Sequence, residues 1–149
     1  MNSAPTFRRP GRLWVVTILN IFIGLLAVGF LMFLFISERV PDEAKPGVAD
    51  SILGGFLACL LVFYSVLALA GRSQARRAVL LVATVYFGSV ILQNALPLLG
   101  AFDSIVPTRK LTANVVRNAI SLSLNWWTFT SSITVTFFAS RSLPPNKDA

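Results

Sequence analysis

The chain has 149 residues, enough for one domain, with 55% hydrophobic residues, 13% charged residues and a mean hydropathy of +0.73. Soluble domains are about 45–50% apolar and about 25% charged, so the charge here is roughly half of what a water-facing surface uses. The net charge of +7 does not indicate a nucleic-acid binder, because the arginines sit in short connectors between apolar runs and not on one basic face with stacking aromatics.

Residues 1 to 12 read as a basic tail, with Arg8, Arg9 and Arg12 among the breakers Pro5, Pro10 and Gly11. Arg8-Arg9 lacks the surroundings of a twin-arginine export signal. From Leu13 to Ile36 there is no charge. At 1.5 Å per residue this run covers about 36 Å, more than a hydrocarbon core about 30 Å thick. It is too long for a signal-peptide core, and Glu38 and Arg39 follow it in place of a small-residue cleavage site. A retained first span is expected.

Ser37 to Asp50 form an acidic-leaning loop broken by Pro41, Pro46 and Gly47, with Asp50 or Ser51 expected to cap the next helix. Residues 51–70 are the second uncharged run. Gly71 to Arg77 is a tight connector carrying Arg72, Arg76 and Arg77, which makes the second and third spans antiparallel neighbours. Ala78 to Phe102 is the third run, with Pro97 marking a kink or the end of its helix. Asp103 to Arg117 reads as a second outer connector, with room for a short helical turn lying on the membrane surface. The last run, Asn118 to Ser140, is uncharged but crowded with Ser, Thr and Asn. It is expected to be a fourth span, with a surface-lying segment as the alternative.

The prediction is an all-α, polytopic membrane protein: a four-helix transmembrane bundle with spans at about 13–36, 51–70, 78–99 and 118–140, between a basic tail at 1–12 and a tail at 141–149. With four spans, Arg8, Arg9, Arg12, Arg72, Arg76, Arg77, Arg141 and Lys147 share one side, eight against the five of Arg39, Lys45, Arg109, Lys110 and Arg117. The positive-inside rule then places both termini in the cytoplasm, with a bacterial inner membrane expected. The outer cluster Arg109, Lys110 and Arg117 runs against that rule.

These four runs contain no Asp, Glu, Lys, Arg or His, and an ionisable residue within a membrane is by default a functional one. In size and span number the chain resembles small four-span proton-driven exporters, but those rely on a membrane-embedded glutamate. Haem ligation needs histidines, and the chain has none. Thiol exchange needs a cysteine pair, and Cys59 is the sole cysteine. Intramembrane serine chemistry needs a base, and metal hydrolysis needs ligands. The chain is therefore expected not to be an enzyme, and to bind no cofactor and no metal. Asp42-Glu43 reads as a pair of solvated loop acids.

The polar residues of the last run, Asn118, Ser121, Asn125, Thr128 and Ser132, step by three and four and share one helical face. Matching stripes are Thr17, Asn20, Gly24 and Ala27 in the first run; Ser51, Gly55, Ala58, Cys59 and Ser65 in the second; and Tyr86, Ser89 and Gln93 with Asn94 in the third. Ser51-x-x-x-Gly55 and Gly55-x-x-x-Cys59 are patterns that permit close helix approach. Trp14 is placed as an interfacial anchor, whereas Trp126 and Trp127 fall mid-run, away from the interfaces where tryptophan collects. The candidate helix–helix or groove residues are Asn20, Gln93, Asn94, Asn118, Ser121, Asn125, Thr128 and Ser132. The functional expectation is an accessory, assembly or interaction protein acting through helix–helix contacts. Its partners would be the lipid bilayer and either itself or another membrane protein, and not nucleic acid. The alternative is a small oligomeric transporter or flippase for a neutral or lipid-linked solute.

Overall fold

The computed structural model describes residues 10–37, 45, 47–101 and 106–141. Most of both tails and the loop acids Asp42, Glu43 and Asp103 lie outside them. Within the described residues the chain is all-α, with α1 (Gly11–Ile36), α2 (Val48–Leu69), α3 (Ala75–Leu98), α4 (Thr108–Thr130) and α5 (Ser132–Ser140). Helices α1, α2 and α3 are long and apolar enough to cross a membrane. Their outward side chains suit hydrocarbon: Phe22 is 59% exposed and Leu81 66% exposed, among many others. A soluble monomer rarely shows a continuous apolar surface of this kind.

Two helices stop in the same way. Gly71, with φ +77°, and Gly100, with φ +76°, adopt the left-handed conformation that only glycine takes without a Cβ penalty. Behind them the Arg72 N–H reaches the Leu67 carbonyl and the Ala101 N–H reaches the Leu96 carbonyl, both at 3.1 Å. These 6→1 bonds satisfy carbonyls that the helix end leaves open. Pro97 therefore lies in the final turn of α3, one residue before its end, and not at a mid-helix kink. At the start of α2 the cap is Gly47. Asp50 and Ser51 lie in the first turn, where the Ser51 hydroxyl donates to the Gly47 carbonyl at 2.9 Å.

The helices run up and down around a ring, α1 against α2, α2 against α3 and α3 against α4, with a shorter contact between α4 and α1. One core joins Ala58 and Leu61 of α2 to Val82, Ala83, Tyr86 and Phe87 of α3. A second closes the end where α1 and α3 begin, through Leu13, Val16, Ala68, Ala75, Val79 and Phe129. Helix α5 packs across that end with Phe137 and Phe138.

The run 118–140 does not coincide with one helix. Helix α4 starts at Thr108, directly after Pro107, ten residues earlier than the last uncharged run. Charge marked the sequence boundary, but Arg and Lys are good helix formers and nothing after Pro107 stops a helix. Arg109, Lys110 and Arg117 are thus helical residues. At the other end, Ser131 takes an extended ψ of 142° and breaks the helix. Its side chain caps α5, accepting from the Thr134 N–H at 3.4 Å. The break resets the helical phase, so Thr134 is buried and Ser132 is exposed. It also explains the tryptophans. Trp126 and Trp127 lie in the last five residues of α4, at the same end of the bundle as Trp14.

Candidate functional site: a polar seam and the cleft beside it

Helices α1 and α4 are joined by a closed amide pair. Asn20 Nδ2 donates to Asn125 Oδ1 at 2.7 Å, and Asn125 Nδ2 donates back to Asn20 Oδ1 at 3.1 Å. Asn125 Nδ2 also donates to the Ser121 carbonyl at 2.9 Å. Both side chains are essentially fully buried. Most other seam residues return to their own helix: Thr17 to the Leu13 carbonyl, Asn118 to the Asn114 carbonyl at 2.7 Å, and Ser121 to the Arg117 carbonyl at 3.0 Å. Such back-bonding lets a polar side chain sit in an apolar interface. The buried Ser65 and Thr128 hydroxyls have no hydrogen-bond partner among the described residues.

A second polar chain crosses from α4 to α3. Arg117 Nη2 donates to Asn114 Oδ1 at 3.2 Å, Asn114 Nδ2 donates to Asn94 Oδ1 at 3.1 Å, and Asn94 Nδ2 donates to the Val90 carbonyl at 2.7 Å. The sequence reading left out Asn114 and Arg117 because they fell in the supposed connector. The signal was present: 114, 118, 121 and 125 continue the same three-and-four spacing one turn further. Of the other candidates, Gln93 is exposed and lines a cavity of about 190 Å³ with Asp50, Ser51, Tyr86 and Ser89. Cys59 is also exposed, so Gly55-x-x-x-Cys59 does not mark a close approach. That approach is made by Gly24 of α1, where an added Cβ would lie 2.5 Å from Val62 Cγ2 and 3.0 Å from the Ala58 carbonyl oxygen.

The other end of α4 is held by cations and indoles. Arg76 Nη1 donates to the Phe129 carbonyl at 2.8 Å, placing a positive charge where the α4 dipole is negative and a carbonyl is left over. Trp126 Nε1 donates to Thr84 Oγ1 at 3.1 Å, and the Arg12 guanidinium lies 5.4 Å from the centre of the Trp127 ring. The Arg76–Phe129, Thr84–Trp126 and Asn94–Asn114 contacts fix α4 in antiparallel register along most of α3.

On the side of the Asn20–Asn125 pair towards the start of α4, residues of α1 and α4 line a common cleft. The cleft between them has a volume of about 910 Å³ and is lined by the apolar Leu19, Leu26, Ile120 and Leu124 together with Arg109 and Arg117. A smaller cavity of about 300 Å³ lies beside it, sharing Leu26, Arg117 and Ser121 and reaching Tyr86 and Asn118. Among the described residues, no carboxylate lines either one.

Three long apolar helices, a lipid-compatible exterior and an internal polar seam fit a small multi-span membrane protein. Comparison of the chain with protein-family models, curated proteins and solved structures finds no match.

Proposed function

We propose that the chain is a non-catalytic accessory or assembly protein of a bacterial inner membrane. It would cross the bilayer four times with both termini in the cytoplasm, and act through lateral helix–helix contact with itself or with a larger complex. The register of α4 along α3 supports the fourth span, because a helix bonded at three levels to a spanning helix shares its depth. The observation that carries the functional reading is that the seam's amides are spent on one another and on their own helices. They hold the bundle together, and the broad apolar exterior is left for partners.

Affinity purification from native membranes in mild detergent, with the mass of the complex measured by light scattering, tests this. We expect a homo-oligomer or a stoichiometric membrane partner. A monomer with no co-purifying protein contradicts it.

The second reading, a transporter or flippase for a neutral or lipid-linked solute, is favoured by the open cleft between α1 and α4. Ile120→Trp, a bulky change on the exposed cleft wall that leaves the buried amide pair intact, separates the two readings. Lost assembly supports the structural role, and lost flux with assembly intact supports transport.

A further inference from the structure

We infer that the cleft between α1 and α4 holds a phospholipid with a net negative headgroup. This rests on α4 lying in the bilayer beside α1, and it does not depend on the accessory role. Counting from the Asn20–Asn125 pair, Arg109 is 16 residues away along α4 and Ile36 is 16 residues away along α1. At 1.5 Å per residue both lie about 24 Å from the pair. Arg109 is therefore level with the end of α1, the depth of a headgroup phosphate. Arg117 is about 12 Å from the pair by the same rise, deep enough to be costly for a cation on a lipid-facing helix.

Its side chain bonds to Asn114, one turn closer to the headgroup level, as a snorkelling arginine does. Both arginines line a cleft that is otherwise largely apolar, and Leu19, Leu26, Ile120 and Leu124 on its walls suit an acyl chain. Guanidinium and phosphate form strong, charge-assisted hydrogen bonds, and a basic pocket between spanning helices is a known form of lipid recognition. The cleft's size lies within the range of about 300–1,000 Å³ common to ligand sites. Both cations line the cleft and none of its described lining residues is a carboxylate, so a net-negative headgroup is favoured over a zwitterionic one.

The test reconstitutes the full chain in nanodiscs of phosphatidylcholine with a minor share of phosphatidylglycerol. The lipid retained after release into detergent is then counted by native mass spectrometry. We expect about one phosphatidylglycerol per chain, enriched at least about fivefold over its share of the bilayer, consistent with a charge-assisted contact. The double variant Arg109→Gln, Arg117→Gln should bring retention down to that share, Arg117→Lys should keep the enrichment, and Ile120→Trp should displace lipid of both kinds. Arg72→Gln with Arg77→Gln, at the opposite end, should change nothing. Wild-type retention in bulk proportion overturns the proposal, as does enrichment that survives the arginine pair or that follows Arg72 and Arg77. A photo-crosslinker at Ile120 in native membranes should form a lipid adduct, and a protein adduct there would assign the cleft to a partner helix instead.

Accessibility separates failure of the lipid proposal from failure of the span. In a chain carrying Cys59→Ala, labelling of Ile120→Cys by a water-soluble maleimide places α4 outside the bilayer. No labelling and no enrichment removes the lipid alone.

Discussion

Asn125→Leu is expected to destabilise the bundle by about 1–3 kcal/mol, because it strands the Asn20 amide in a fully buried site. The lost hydrogen bonds alone would not produce this, since interhelical bonds in membrane proteins average only about 0.6 kcal/mol. The larger part is the desolvated Asn20, which loses both of its bonds to Asn125 at once. Asn20→Leu alone should cost less, because Asn125 Nδ2 keeps its bond to the Ser121 carbonyl. The double variant Asn20→Leu, Asn125→Leu removes both polar partners and should recover much of the loss. Denaturation of the purified protein by sodium dodecyl sulfate, followed by circular dichroism, reads all three. Additive effects, with the double variant as unstable as the sum of the singles, would show that the two amides are not coupled.

Gly24→Ala has the second largest expected effect. The new methyl group would meet Val62 Cγ2 at 2.5 Å and the Ala58 carbonyl oxygen at 3.0 Å. Valine is stiff at χ1 and the carbonyl belongs to the α2 backbone, so neither moves aside cheaply. The helices must separate instead, at a cost of about 1–3 kcal/mol. Gly29 and Gly88 provide the control, because a Cβ at either position meets nothing within 4 Å. Alanine there should be neutral, or stabilising by about 0.4–1 kcal/mol, from the lower freedom of the unfolded chain. If all three variants melt together, the close contact between α1 and α2 at Gly24 is wrong.

What the sequence made legible follows from what local patterns encode. Helices α1, α2 and α3 were bounded within a few residues because each is an uncharged run ended by charges, glycine or proline. Helix α4 was not, because its first ten residues include three cations, and charge is what marks the edge of a span in the other three helices. The stripe Asn118, Ser121, Asn125 and Thr128 follows from periodicity, and all four residues are buried. Ser132 departs from it because the break at Ser131 changes the phase, and an extended serine between two apolar stretches leaves no mark in hydropathy. The partnership of Asn20 with Asn125 joins residues 105 positions apart, and no local spacing encodes a contact of that range. Gly24 was visible as a member of a small-residue stripe, yet its neighbour on α2 was not. The cleft was invisible for a related reason, since it is lined by residues from α1 and α4 that lie far apart in the chain.

The central claim is that α4 crosses the membrane with the three apolar helices, so that both chain ends lie on one side. Single cysteines in an otherwise cysteine-free chain, at Ala101 in the connector between α3 and α4 and at Ala149 at the C-terminus, test it directly on intact cells. Labelling by a membrane-impermeant maleimide at 101 and protection at 149 is the expected result. Labelling at both positions would place the α4–α5 segment on a single face of the membrane and contradict the four-span account.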